Sequence, residues 1–376
     1  MDAFYASVEL LRYPELKGRP VVIGGGRRHQ PVQAEGVRSF STLSGYAGRG
    51  VVTTATYEAR AFGVHSGMAL MKAAALVPDA VLLPTDFDEY RKYSRLFKAA
   101  VREIAPLVED RGIDEIYIDL TGLPGDTPDL ARGITARVRE ATGLSCSIGV
   151  SPNKLLSKIC SDLDKPGGIT IIGVDDIPRR IWPLPARKIN GIGPKATAKL
   201  EGLGIRTIGE LAAADPRWLV EHFGRSFGAW MHEAAHGRDD RPVVTYSEPK
   251  SISRETTFER DLHPVRDREM LSGIFTALCE QVGEDLRRKG FEGRTIGIKL
   301  RYDNFVTVTR DQTLEAATAD GAVIRRAAGQ CLKRVPLERR LRLLGVRAGS
   351  LVRPGSDVNP GSRYHVGEGT PSLDLF

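Results

Sequence analysis

The chain has 376 residues, 41% of them hydrophobic and 27% charged, which excludes a disordered polypeptide and suggests two to four folded domains. No apolar run approaches the ~20 residues of a membrane span, and no basic stretch followed by an apolar one marks a secretion signal. The net charge of +7 favours a polyanionic partner, although basic metabolic enzymes also exist. Four scattered cysteines (Cys146, Cys160, Cys279 and Cys331) without a CxxC pair argue against a zinc site or a disulfide framework and indicate a reducing cytoplasm.

The first half of the chain alternates between predicted strands and helices. The opening segment MDAFYASVE contains Phe4 and Tyr5, two residues that favour strands. A strand that feeds a core normally starts several residues earlier than this segment allows. Residues 19–24 predict a short buried strand, and the glycine-rich stretch 24–50 predicts a long, mobile surface loop. The later predicted elements are strands at 51–57 and 145–151, helices at 66–77, 87–105 and 128–142, a strand or hairpin with exposed acids at 112–120, and a helix from Pro152.

The second half changes character twice. Prolines and glycines punctuate short helices over 166–237, which predicts a small all-helical module. Beyond a linker, four alternating segments around helices near 266–288 and 318–334 predict an α+β domain with an antiparallel sheet. The stretch 353–370 is rich in glycine, proline and serine and predicts a flexible tail.

Asp114 and Glu115 form an adjacent pair of carboxylates at the lip of a predicted strand. Two such groups repel each other, and a divalent cation removes that cost. Their hard oxygens suit Mg²⁺, which prefers one or two carboxylates together with phosphate oxygens and water. Taken alone, the pair is more often a solvated acidic turn, by roughly three to one.

Two segments could contact a polyphosphate. TATYEARAFGV places Tyr57 and Arg60 on one face if a helix continues, where they could hold a triphosphate through charge-assisted hydrogen bonds. Lys165 lies in a Lys-Pro-Gly-Gly turn that could present its ammonium to a phosphate. The alternative for the first segment is an ordinary surface helix start. The alternative for the turn at Lys165 is a plain helix-terminating loop.

The segment KINGIGPKATAKLEGLGIRTIGEL carries two predicted helices around Gly191 and Gly193. Glycines let the backbone approach a ligand, and the N–H groups at the next helix start, beside Lys195, would point at a phosphate oxygen. This helix-hairpin-helix pattern binds the DNA backbone without reading sequence.

The printed chain ends on SLDLF, in which Leu373, Leu375 and Phe376 follow a polar stretch. Apolar side chains in a flexible tail predict a partner pocket that receives them. The alternative is a strand that docks back on its own domain.

In order, spacing and text these segments resemble the Y-family translesion DNA polymerases, in particular the bacterial DinB type, across nearly the whole chain. The resemblance implies an α+β multidomain, right-hand polymerase. Its expected parts are palm and fingers at 1–165 (fingers about 12–75), a helical thumb with the helix-hairpin-helix at 166–237, a linker at 238–246, a little finger with an antiparallel sheet at 247–350, and a flexible tail with a clamp-binding motif at 351–376.

The resemblance further implies low-fidelity addition of dNTPs to a primer 3′-OH past DNA damage, with two Mg²⁺ ions. The resemblance implies that Asp114 is a metal ligand and that Glu115 is the acid that completes the metal site. It implies that Tyr5 is a steric gate that excludes a ribose 2′-OH. The residues implied to contact the triphosphate are Tyr57, Arg60 and Lys165, and those implied to contact DNA are Gly191, Gly193 and Lys195. The implied partners are primer-template DNA and a sliding clamp bound through SLDLF. No membrane partner is implied, and a monomer in the cytoplasm, associated with the nucleoid, is expected.

Three departures from the family pattern stand out. Gly112 replaces a frequent serine, and the loop from His29 to Gly48 is longer than usual. The family's first motif has an acid immediately before the position of Met1, preceded by an apolar strand, and Asp2 matches only its second acid. A misplaced start codon, a truncation or, least favoured, a genuine loss would account for this. The missing acid favours a catalytically impaired scaffold that binds DNA and clamp; a helix-hairpin-helix nuclease or repair-binding module is a second alternative.

Overall fold

The computed structural model describes residues 1–34 and 36–355, which divide into two compact units. The first unit runs from Met1 to Tyr246, and the second begins at Ser247. Cys146, Cys160, Cys279 and Cys331 are free, and all but Cys146 are buried. Within the described ranges, no helix combines the length and the apolar character needed to cross a bilayer.

The N-terminal motif is helical. Phe4–Arg12 form helix α1, in which Phe4 and Val8 recur at helical spacing and are buried. The interpretation of Phe4 and Tyr5 as strand-forming residues is therefore wrong. Burial of one continuous helix face outweighs the weak β-propensity of two aromatic side chains.

The segment predicted as a mobile loop, 24–50, is only partly a loop. It follows strand β1 (Val21–Gly24), which is buried as predicted. The loop itself contains a hairpin of β2 (Val32–Ala34) and β3 (Val37–Ser39). Further along, Leu43 is fully buried in a hydrophobic cluster, so packing anchors the second half of the segment. Hydrophobic periodicity in the sequence did not indicate this contact.

A three-stranded sheet supports the start of the chain. Strand β1 pairs antiparallel with β4 (Val52–Ala55) and parallel with β5 (Val81–Leu83). Three helices follow these strands: α2 (Tyr57–Ala61), α3 (Leu70–Leu76) and α4 (Phe87–Arg102). Helices α3 and α4 correspond to the helices predicted at 66–77 and 87–105.

An antiparallel hairpin carries the acidic pair. Strand β6 (Val108–Asp110) pairs with β7 (Ile116–Ile118), and Asp114 and Glu115 lie in the bend just before β7. The prediction of a strand or hairpin here is confirmed in its hairpin form. Helix α5 (Thr127–Thr142), also predicted, packs against α4.

A parallel strand pair continues into the helical module. Strands β8 (Ile148–Val150) and β9 (Ile169–Ile171) pair with each other, and α6 (Lys154–Cys160) connects them. The all-helical prediction for 166–237 is wrong at β9, because a three-residue strand has no periodicity to detect and is defined by its distant partner. The remaining α-helices among the described residues of the first unit are α7 (Pro194–Gly202), α8 (Ile208–Ala213), α9 (Pro216–Phe223) and α10 (Arg225–Ala235), and a π-helical segment, Ile177–Ile181, precedes them.

Over residues 247–355, the second unit has four long strands and two helices, as predicted. They are β10 (Ser251–Leu262), α11 (Arg268–Lys289), β11 (Glu292–Tyr302), β12 (Thr307–Thr318), α12 (Gly321–Leu332) and β13 (Leu341–Val352). The strands form one antiparallel sheet in the order β10–β13–β11–β12. Both helices pack on this sheet, burying side chains such as Phe275 and Ile324.

Candidate functional site

The two acids before β7 differ in exposure: Asp114 is partly buried, whereas Glu115 lies at the surface. Burial raises the pKa of Asp114, and the neighbouring Glu115 carboxylate raises it further, whereas the N-terminal ammonium lowers it. Glu115 is exposed. A bound cation would stabilise both ionised carboxylates and offset their desolvation and mutual repulsion.

The donor set around these acids is sparse. Over residues 1–34 and 36–355, no group of three or more His, Cys, Asp or Glu side chains could hold a metal ion. Two carboxylates are nevertheless the protein share that Mg²⁺ takes when water and substrate phosphates complete its six ligands. Asp114 and Glu115 therefore fit a magnesium ion whose remaining ligands come from a phosphorylated substrate.

A row of alternating charges leads away from the acids, from the last turn of α6 into the turn that follows this helix. Lys158 donates a hydrogen bond to the Glu115 carboxylate. Burial acts to lower the pKa of Lys158, but the Glu115 contact raises it overall, and Asp162 contributes in the same direction. Asp162 in turn lies 2.7 Å from the Lys165 ammonium. The row connects the acidic pair with the lysine predicted to bind phosphate.

Tyr57 and Arg60 share one face of α2, as the spacing predicts. The Arg60 guanidinium lies 5.2 Å from the centroid of the Tyr57 ring, and its Nε donates to the Ala55 carbonyl oxygen at 3.0 Å. The Tyr57 hydroxyl is buried and has no hydrogen-bond partner within the described residues. Leaving such a hydroxyl unpaired costs about 1–3 kcal/mol, which an anionic oxygen from a ligand would relieve.

Tyr5 is held in place by aromatic packing. Its ring stacks on Tyr90 with a centroid distance of 4.4 Å and meets the edge of Phe87 at 5.8 Å. The Tyr90 hydroxyl donates to Glu9 Oε1 at 2.6 Å, which fixes the ring beneath Tyr5. Burial raises the pKa of the Tyr5 hydroxyl, and the charge of Asp114 adds to this. The ring therefore lies beside the acidic pair in a fixed orientation.

Asp2 ties the chain start to the turn that carries Lys165. It is 1% exposed, and its two carboxylate oxygens accept hydrogen bonds from Ser147 Oγ at 2.7 Å and from the Gly167 backbone N–H at 2.9 Å. Both oxygens are thus used within the protein. Asp2 therefore positions the turn that carries Lys165.

Sequence reasoning missed Lys158 and Asp162 as parts of this site, and it assigned Asp2 no contact there. Lys158 lies in the last turn of α6, and Asp162 lies in the turn that follows the helix, so helix periodicity does not place the two together. No local signal indicated the hydrogen bonds of Asp2, because its partners are distant in the chain.

The helix-hairpin-helix glycines differ in their surroundings. Gly191 has a φ of +117°, and a Cβ there would lie 2.6 Å from Trp230 Cη2, so packing requires a glycine. Gly193 directly precedes α7, has a φ of −79° and has open space around it. No side chain caps the α7 N-terminus, and Lys195 lies in its first turn. Open N–H groups and a nearby ammonium are the features of a phosphate contact.

Gly191→Ala is expected to lower the free energy of unfolding by about 2 kcal/mol or more, since the new methyl group is strained by φ and by Trp230. Gly193→Ala is the matched control, and its effect on stability should stay within about 0.5 kcal/mol. Denaturant unfolding measures both. Equal stability of the two variants would contradict the packing role of Gly191.

Leu373, Leu375 and Phe376, predicted to bind a sliding clamp, lie outside the described residues. That part of the site stays a prediction.

Family comparison covers most of the chain. Residues 1–162 match the impB/mucB/samB family, and residues 249–360 match the C-terminal domain of that family. Residues 174–205 match the IMS family HHH motif, which includes Gly191 and Gly193.

Curated relatives with similar sequences carry the name DNA polymerase IV. The protein from Methanoculleus marisnigri is 41% identical over 354 residues, which is 93% of this chain and 92% of the relative. The protein from Alkalilimnicola ehrlichii is 40% identical and covers 94% of each chain. The Caulobacter vibrioides protein is 39% identical, over 92% of this chain and 80% of its own length.

Solved structures show the same fold. The Y-family DNA polymerase chimera Dbh-Dpo4(243-245)-Dbh superposes with a TM-score of 0.78 at 24% identity, over 94% of this chain and 97% of the chimera. An insertion ternary complex of Dbh DNA polymerase gives a TM-score of 0.63 with the same identity and coverage. The predicted polymerase fold class is confirmed.

Proposed function

The chain belongs to the impB/mucB/samB family, the Y-family translesion DNA polymerases, and from this membership we propose how its residues act. It is a template-directed DNA polymerase of the damage-bypass type. The observation that carries the proposal for the site is the buried, unpartnered Tyr57 hydroxyl beside Arg60. No described feature of the site favours the impaired scaffold, and a nuclease would need neither a triphosphate contact set nor a sugar gate.

We propose that the incoming dNTP places its triphosphate against Tyr57, Arg60 and Lys165. The Tyr57 hydroxyl would donate to a phosphate oxygen, which supplies the partner that this group lacks. The Arg60 guanidinium would add charge-assisted hydrogen bonds, with its orientation set by the Ala55 carbonyl. Lys165 would exchange its Asp162 contact for the phosphate, which carries more charge than a carboxylate.

Asp114 and Glu115 are proposed to hold magnesium, with two ions in the complete complex. Such ions, when bound, stabilise the attacking and leaving oxygens of an in-line displacement at the α-phosphate. The protein's share is to keep the two carboxylates together, and Lys158 holds Glu115 in place. Tyr5 would lie under the sugar, where its fixed ring leaves no room for a 2′-OH.

Primer-template DNA is the proposed macromolecular partner. The N–H groups at Gly193 and the start of α7, together with Lys195, would contact backbone phosphates without reading bases. The net charge of +7 favours the same partner. We place this activity in the cytoplasm, because free cysteines stay reduced there. Within the cytoplasm, the proposed DNA partner places it at the nucleoid. A monomer is sufficient for the proposed site.

A primer-extension assay on a primed template tests the proposal. The protein is expected to add the templated dNTP to the primer 3′-OH when Mg²⁺ is present and to stop when the divalent cation is chelated, since the proposed site relies on bound metal. Absence of dNTP incorporation would refute the proposed function.

The terminal SLDLF is proposed to bind a sliding clamp. Deleting Leu373 to Phe376 should leave distributive synthesis unchanged and remove stimulation by the clamp, because leucine and phenylalanine anchors fill an apolar pocket on the partner. Primer extension with and without a loaded clamp measures this. Equal stimulation of both forms would contradict the clamp assignment.

A further inference from the structure

A pocket of about 480 Å³ opens between α11, α12 and the sheet of the second unit. Its floor is apolar and buried, with Phe275, Leu300, Leu341 and Leu344 contributing. The volume lies within the range of roughly 300–1,000 Å³ that is typical of ligand sites. A site of this size and lining would take two or three apolar side chains.

The rim of this pocket is basic. Arg268, Arg326 and Lys333 line it and are exposed, and none of the three forms an ion pair among the residues that the structure describes. The Arg325 guanidinium lies over the Phe275 ring at 4.2 Å and donates from Nε to Thr276 Oγ1 at 3.1 Å, which fixes it at the wall. Among the lining residues that the structure describes, none is Asp or Glu. Its chemistry therefore suits a peptide that is both apolar and acidic.

We propose that the C-terminal segment SLDLF of this chain occupies the pocket within the same molecule. Leu373, Leu375 and Phe376 supply the apolar side chains, and Asp374 supplies a carboxylate for the basic rim. A segment with this composition gains hydrophobic burial at the floor and charge-assisted contacts at the rim.

The chain outside the described residues is long enough to reach back. Strand β13 starts at Leu341 in the pocket and ends at Val352, so its far end lies ~36 Å away. The 18 residue-to-residue steps from Gly355 to Leu373 span up to ~60 Å when extended. Tethering also gives the segment a local concentration in the millimolar range, so modest affinity suffices for docking.

This inference goes beyond the polymerase function and concerns the same peptide that is proposed to bind the clamp. The pocket would hold the peptide until a clamp takes it over. Its test needs neither clamp nor activity, so it can fail while the proposed function stands.

The experiment uses a fluorescein-labelled peptide with residues 370–376 and fluorescence anisotropy. A chain that ends at Thr370 should bind the peptide saturably, and the full chain should bind it at least ~10-fold more weakly, because its own segment competes. Equal binding to both chains, or no binding to the shortened chain, would overturn the proposal.

Charge substitutions locate the binding site. Lys333→Glu in the shortened chain should weaken peptide binding at least ~10-fold, and a peptide carrying Asp374→Lys should regain affinity for that variant. Lys289→Glu is the control, since Lys289 is exposed at the opposite end of α11 from Arg268, ~30 Å away. An unaffected Lys333→Glu variant, or failure of the charge swap, would exclude this pocket. A dimer of the full chain in sedimentation that is lost in the shortened chain would assign the segment to a second copy and overturn the intramolecular form.

Discussion

Replacement of Asp114 by asparagine is expected to slow nucleotide incorporation by about 10³-fold or more. Asparagine keeps the size of the side chain but removes the charge that a metal ion needs from its ligand. A loss of 10³ corresponds to about 4 kcal/mol of transition-state stabilisation. Single-turnover primer extension measures the rate, and affinity for primer-template DNA should change by no more than about twofold.

The stability of the same variant separates a catalytic from a structural role. Burial raises the pKa of Asp114, so the ionised carboxylate destabilises the folded, metal-free protein once the pH is above its ordinary value. Asp114→Asn should therefore have an unchanged or higher melting temperature at neutral pH without metal. Asp119→Asn, at the other end of β7, is the matched control and should retain activity within about twofold. A drop in melting temperature or DNA affinity that matches the loss of activity would argue against the metal role.

Replacement of Tyr5 by alanine is expected to raise the relative incorporation of ribonucleotides by about 100-fold. The Tyr5 ring is fixed between Tyr90 and Phe87, so it cannot move away from an added 2′-OH. Forcing extra atoms into a packed contact costs about 1–3 kcal/mol, which corresponds to discrimination of up to about two powers of ten. The ratio of rNTP to dNTP incorporation by the same enzyme measures this effect.

Tyr5→Phe is the control for the gate. Phenylalanine keeps the ring and its stacking on Tyr90 and removes only the hydroxyl, so discrimination should stay within about threefold of the parent. The gate assignment fails if alanine and phenylalanine give the same ratio. A loss of discrimination in the phenylalanine variant alone would transfer the role from the ring to the hydroxyl.

Local patterns in the sequence determined most elements. The second unit was predicted strand by strand, since its strands are eleven or twelve residues long and its helices run over 22 and 12 residues. The pairing of Tyr57 with Arg60 also follows from sequence, because residues three apart share a face of any helix. The clustering of Asp114 with Glu115 needs no structure, as the two residues are adjacent.

Short elements depended on tertiary contacts. Strand β9 has three residues and exists because Ile148–Val150 pairs with it. Helix α1 overrides the β-propensity of Phe4 and Tyr5 because one of its faces is buried. Leu43 anchors a segment whose composition alone predicts a mobile loop.

The sequence by itself singled out the main candidate site residues, and only the tertiary structure decided how they are held. The Lys158 contact to Glu115 spans 43 positions, and the Ser147 contact to Asp2 spans 145. Helix and strand periodicity report only which side chains share a face within one element. Hydrogen bonds between elements depend on where the packed core places each of them, and neither periodicity nor spacing contains that information.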